Sequence, residues 1–148
     1  MKMKKSALIG FAVAAALGAS AVQAADQYIG LPSYRVGPYA AGGTGIFGGM
    51  IDYFQLVNER DGGINGVKLT WEECETEYNN ARGVECWERM KKGGPTGNTV
   101  FHPLSTGITF ALTDKTDNDK IPLITAGYGR SESANGETFK YNFILGGS

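Results

Sequence analysis

The sequence predicts an α/β fold, a parallel sheet in a three-layer sandwich with helices on both faces. Three observations lead there. The apolar residues switch repeatedly between a two-residue and a helical period. The resulting order is β-α-β-α-β-α-β-loop-β. Glycine makes up 22 of 148 residues, about twice its usual share, and gathers at the joints between these segments.

Residues 1–24 stand apart. Lys2, Lys4 and Lys5 precede an uncharged apolar run from Ala7 to about Ala19, and Val22-Gln23-Ala24 sets small residues where a signal peptidase reads. This is the pattern of a cleaved secretory signal, because the run is shorter than the roughly 20 apolar residues that span a bilayer core. No cysteine lies near the cleavage point, which argues against a lipid-anchored start. The mature segment 25–148 keeps 11 basic residues against 15 acidic ones, a net charge of −4. It has no basic run and so no electrostatic footprint for nucleic acid. Its length suits one small domain.

In the mature segment, Tyr28 to Leu31 reads as a short buried strand bounded by Pro32. Ser33 to Gly45 reads as a loop rich in Gly and Pro. From Ile46 the helical period sets in, with Ile46, Met50, Phe54 and Val57 on one side together with Tyr53. That helix should run to about Asn58 and stop at Asp61-Gly62-Gly63. Asn65-Gly66 marks a tight turn. Val67, Leu69 and Trp71 then alternate with Lys68, Thr70 and Glu72 as a half-buried strand.

Asn79 or Asn80 can cap a second helix. Its dry side would hold Val84, Trp87 and Met90, and its wet side the i,i+4 pairs Glu85–Arg89 and Glu88–Lys92. Gly93-Gly94-Pro95 ends it. Thr99 to Phe101 is a third strand. Ser105 or Thr106 can cap a third helix with Ile108, Ala111 and Leu112 inward. Asp114 to Lys120 reads as solvated charge and turn. Ile121 to Thr125 is a fourth strand, with Gly127-Tyr128-Gly129 after it. Phe139, Tyr141, Phe143 and Leu145 alternate as a fifth.

Several motifs suggest chemistry. Gly43-Thr44-Gly45-Ile46-Phe47-Gly48 matches G-x-G-x-x-G, but a dinucleotide loop must start where its strand ends. Here about ten residues, two of them prolines, separate Leu31 from Gly43. The glycines are better read as packing positions that let the helix start approach a neighbour or a ligand. His102-Pro103-Leu104-Ser105-Thr106-Gly107 approximates a serine nucleophile turn, with Pro103 in the first glycine's place and no acid placed to orient His102. Hydrolase chemistry is therefore not favoured.

The cysteines Cys74 and Cys86 should flank a short strand-to-helix connection, so an oxidising compartment invites a disulfide; two buried thiols are the alternative. A single histidine excludes a His-rich metal site, and no cofactor motif stands in its proper context. On an open parallel sheet, ligands bind beyond the carboxyl ends of the strands, which points to 102–107 and 126–130. Ser105 and Thr106, at a helix start after a strand, would present hydroxyls and N–H groups to a small carboxylate. Plain N-capping uses the same atoms. Gly127 and Gly129 flank Tyr128 and would expose backbone beside one aromatic wall.

The segment NERDGGINGVKL, Asn58 to Leu69, resembles the opening lobe of the type I periplasmic solute-binding proteins of ABC importers, which carry branched-chain amino acids, amides and urea. Its most specific part is G-G-I-x-G-x-x-L, Gly62 to Leu69. LSTGIT (Leu104 to Thr109) lies at the family's ligand-gripping serine loop, and IPLITAGYGRS (Ile121 to Ser131) at its second first-lobe contact. The resemblance covers essentially the whole mature chain. It implies that Ser105 and Thr106 hold the ligand carboxylate or amide oxygen, and that Gly127, Tyr128 and Gly129 give backbone contacts and a side wall. It adds His102 at the cleft and, as candidates of lesser weight in the first loop, Tyr34 and Gly42.

Two departures stand out. Thr125-Ala126-Gly127-Tyr128-Gly129 lacks the second hydroxyl of the family's S-x-A-x-T, which loosens the tie to leucine-type solutes. The family also has two lobes, and this chain has length for one. The expectation is thus a truncated first lobe at 25–148, without catalysis. It would capture an amino acid or a small amide or urea-like solute in the periplasm for an ABC importer permease. An exported hydrolase-like enzyme and a receptor's sensory domain are the alternatives.

Overall fold

The computed structural model describes residues 24–126 and 131–145. Most of the expected signal segment therefore lies outside the described residues, as do Gly127, Tyr128 and Gly129. In chain order the elements are β1 (Gln27–Ser33), α1 (Ala40–Arg60), β2 (Leu69–Glu75), α2 (Asn80–Met90), β3 (Asn98–Phe101), α3 (Thr106–Asp119), β4 (Leu123–Thr125), a 3₁₀ turn (Ser131–Ala134) and β5 (Asn142–Ile144). The strands form one sheet in the order β2-β1-β3-β4-β5, and every pairing is parallel.

Right-handed crossovers then fix the layers. β1-α1-β2 steps one way along the sheet, while β2-α2-β3 and β3-α3-β4 step the other, so α1 lies on one face and α2 with α3 on the opposite face. The side chains agree. Tyr28, Trp87, Met90, Phe101, Ile108, Leu112 and Leu123 form the core under α2 and α3. Leu31, Tyr34 and Phe47, with Phe54 and Trp71, form the core under α1. The Cys74 and Cys86 sulfurs are bonded, with Cα atoms 5.8 Å apart, and tie the end of β2 to α2.

The structure corrects the expected elements in several places. β1 runs through Pro32 to Ser33. Odd residues of β1 bond toward β2, since Gln27 N–H donates to Lys68 and Thr76 N–H to Ser33. Pro32's missing N–H therefore faces β3, whose pairing with β1 ends at Gly30, and no ladder bond is lost.

The first helix begins at Ala40, so Gly42 and most of the expected loop are helical. Gly43 explains the early start: a Cβ there would lie 2.1 Å from the Tyr34 carbonyl oxygen, so only glycine lets this turn seat on β1's end. The helix is also rotated from the expected phase. Phe47 is fully buried, whereas Ile46 and Tyr53 are exposed.

In α2, the N-cap is Asn79, whose Oδ1 accepts from Arg82 N–H. The wet-face pairing differs from expectation: Lys91 and Lys115 hold Glu88, and Arg89 reaches Glu72 on β2. α3 continues through the stretch expected as turn, to a left-handed Lys120. Threonine lets it do so. Thr113 and Thr116 are buried and return their hydroxyls to carbonyls of the preceding turn, while Ala111 is exposed. In β5 the inward residue is Asn142, whose side chain donates to Thr113's carbonyl. Phe143 and Leu145 alternate to the other face and are exposed.

Candidate functional site

Strand order reverses beside β1, so the crevice for a ligand should open beyond the carboxyl ends of β1 and β3. A cavity of about 190 Å³ lies there, lined by Tyr34, Ile46, Tyr78, Leu104, Ser105, Thr106 and Ala126. Each strand from β1 to β4 contributes through the residues that follow it: Tyr34 after β1, Tyr78 after β2, Leu104 to Thr106 after β3 and Ala126 after β4.

Ser105 is the N-cap of α3, and its Oγ accepts from Ile108 N–H at 3.3 Å. That bond uses a lone pair and leaves the hydroxyl proton available to a ligand. Leu104 just before it has φ +46°, and its carbonyl accepts the Tyr34 hydroxyl at 3.3 Å. Burial, and then the nearby Tyr78, raises the Tyr34 phenol above its ordinary value, so it remains a protonated donor at neutral pH.

Tyr78 packs edge-on against Tyr34, with ring centroids 5.0 Å apart, and Tyr39 packs on Tyr78 at 4.2 Å. Glu77 and Tyr78 have φ of +52° and +60°, which is unusual for residues other than glycine. Thr76 Oγ1 accepts Tyr78 N–H, and a Glu75 carboxylate oxygen accepts Glu77 N–H.

The cavity thus joins three of the residues expected at the site, Tyr34, Ser105 and Thr106. His102 is not in its lining. Its Nδ1–H donates to the Ile124 carbonyl, and burial pushes the imidazole below its ordinary value while that hydrogen bond opposes the shift. Gly42 is exposed on α1 with nothing within 4 Å of a would-be Cβ. Leu104 and Ala126 fall in the two loops expected to face a ligand, 102–107 and 126–130, whereas Ile46 and Tyr78 were not foreseen. The loop after β2 ends at the same sheet edge as the other two, and that rule alone could have nominated Tyr78.

A larger cavity, about 690 Å³, is lined by Ile29, Phe54, Val57, Ile64, Leu69 and Val100 among others. It borders Gln27 and Thr99, near the amino ends of β1 and β3, whose side chains hydrogen-bond to each other, and Asp61, which pairs with Arg60; it lies at the end of the strands opposite the ligand crevice. It is the open flank of the sheet beside α1. Among the described residues no group of acids, histidines or cysteines could hold a metal ion.

The sequence profile of the periplasmic binding proteins matches residues 26–148. No protein of curated function matches. Among solved structures, an ABC transporter permease from the Pseudomonas fluorescens group is 48% identical, with TM-score 0.74 over 80% of this chain and 29% of that one. The isoleucine complex of a branched-chain amino acid transporter substrate-binding protein from Streptococcus pneumoniae is 21% identical, with TM-score 0.68 over 80% of this chain and 33% of its own. The benzoate complex of an ABC transporter solute-binding protein from R. palustris is 18% identical, with TM-score 0.63 over 80% and 32%. The last two likenesses concern the fold. This chain spans about a third or less of the length of these structures.

Proposed function

The chain belongs to the type I periplasmic binding protein family of ABC transporters, and from that premise we propose that it captures a small solute in the periplasm for an importer's membrane permease. Residues 1–24 are its cleaved export signal, and 25–148 form the first lobe of the binding unit. The carrying observation is the cavity at the carboxyl ends of β1, β3 and β4, where Tyr34, Ser105 and Thr106 meet. Ser105 and Thr106 hold the solute's carboxylate or amide oxygen, in keeping with the positive end of a helix. The solute is an amino acid or a small amide or urea-like molecule; solved relatives of similar fold hold isoleucine and benzoate.

The reading assigns no catalysis. Ser105 Oγ caps α3, while His102 donates to β4 and is not in the lining of the cavity that Ser105 borders, so the histidine stands outside the proposed site.

Thr106→Val tests the proposal, since it removes the hydroxyl and keeps the shape at a position that does not supply the cap. The natural chain should gain thermal stability from a millimolar carboxylate or amide solute, by the linkage of binding to folding. The variant should lose about tenfold in affinity, the scale of one hydrogen bond to a charged group. Undiminished binding in a folded Thr106→Val protein would remove the site from this cavity.

A further inference from the structure

We propose that Tyr78 is a specificity-determining residue, and that the cavity takes a carboxylate on a flat apolar body, such as an aromatic acid, in preference to an amide or urea. The inference rests on the reading of this cavity as the solute site.

The lining divides in two. Ser105 and Thr106 supply the polar end; Tyr34, Ile46, Tyr78, Leu104 and Ala126 supply the remainder. The Tyr34 hydroxyl is spent on the Leu104 carbonyl, so Tyr34 offers its ring. Urea or acetamide would leave these apolar walls without a partner. An aromatic body would bury against them and meet Tyr34 and Tyr78 in the offset or edge arrangements that rings prefer.

Tyr78 is fixed in place before any solute arrives. Its backbone and that of Glu77 stand in the left-handed region. Thr76 and Glu75 hold their N–H groups, and Arg82 pairs with the Glu77 carboxylate at 2.5 Å. Tyr34 and Tyr39 pack on the Tyr78 ring. A wall that does not have to be ordered on binding gives its contacts at lower entropic cost.

The polar end favours an anion over an amide. Ser105 Oγ has spent one of its two lone pairs on Ile108 N–H and still carries its proton. The first turn of α3 adds unsatisfied backbone N–H donors. No carboxylate lines the cavity among the described residues. Two carboxylate oxygens, which only accept, suit this set and carry the charge that a helix N-terminus favours, whereas an amide offers one acceptor oxygen and no charge.

The test is an NMR titration of the full chain with benzoate, acetate and benzamide, in the natural sequence and in Tyr78→Ala, Tyr78→Phe and Thr106→Val. Benzoate should bind at least tenfold more tightly than acetate or benzamide. Tyr78→Ala should lose that tenfold for benzoate and keep acetate within twofold, and Tyr78→Phe should behave as the natural chain. If Tyr78→Ala does not fold, Tyr78→Leu keeps apolar bulk without a flat ring and should show the same loss. Equal affinity for benzoate and benzamide, or benzoate binding unchanged in a folded Tyr78→Ala or Tyr78→Leu protein, overturns the proposal. In that event Thr106→Val separates the two levels. A loss there for both carboxylates leaves the solute site standing, and no loss removes the site as well.

Discussion

His102 carries the clearest single-residue consequence. Burial holds its imidazole below the ordinary value, and the hydrogen bond to Ile124 only partly opposes this. The unfolded chain takes up a proton near pH 6.5, its usual value, while the native chain resists until lower pH. Between those values the unfolded state binds more protons, so stability rises with pH. The contribution is present above the unfolded value and is lost as pH falls through the native one. The thermal midpoint should therefore drop between about pH 7 and 5.5, the range where histidine titrates. His102→Asn, whose amide can still donate to Ile124, should drop less over that range. Parallel slopes in calorimetry would acquit His102. Sequence reasoning about residues was uneven in the same region. Ser105 was legible, because a serine between a strand and an apolar helix stripe has a defined capping role. Its two readings are compatible, since the cap takes one lone pair and leaves the proton that the proposed solute would accept. Tyr78 was passed over although the strand-end rule reaches its loop, because Glu77-Tyr78 enters the left-handed region without glycine and so gives no turn signal.

At the scale of elements, α1 shows how packing overrides local preference. Its first half, Ala40 to Gly49, contains five glycines, a composition that favours loop over helix. Burial of Phe47 and the seat of Gly43 on Tyr34 hold it in place. The glycines are consequently not equivalent. Gly43→Ala would press a Cβ to 2.4 Å from the Tyr34 ring and closer still to its carbonyl, and should cost about 1–3 kcal/mol, as overpacking does. Gly45→Ala meets nothing within 4 Å and should stabilise by about 0.5–1 kcal/mol through helix propensity. Urea unfolding of the two variants decides the matter. Effects of the same sign would mean that Gly43 is not the seat. The helix end, at Asp61-Gly62-Gly63, was legible because a charged turn with glycines stops any helix. The start was not, because its determinant is a contact with β1 that no local pattern encodes. α3 was misjudged for a related reason: its inward face carries Thr109, Thr113 and Thr116, which a search for apolar residues passes over.

At the scale of the whole molecule, the alternation of strand and helix made the parallel sheet legible, and the crossover rule converts that order into layers. Register and phase were harder, and β5 shows why. Phe139, Tyr141, Phe143 and Leu145 alternate cleanly, yet the core side is taken by Asn142, which satisfies Thr113's carbonyl. Phe143 is 50% and Leu145 72% exposed. They share the face of α1, which packs over β1 and β2; among the described residues, no helix covers the β3 to β5 side of that face. Parallel sheets are normally covered on both faces, so an open flank bordered by the apolar walls near Ile29, Phe54 and Val100 has a measurable consequence. The folded chain should enhance the fluorescence of 1-anilinonaphthalene-8-sulfonate at neutral pH, where a protein with two covered faces would not. Phe143→Ser combined with Leu145→Ser should dim that signal. Both positions are exposed, so stability should shift by no more than about 0.5 kcal/mol for each. Dimming with an unchanged urea midpoint would locate the dye on this flank. An undimmed signal with intact folding would mean that dye binding arises elsewhere and that the flank is closed in solution.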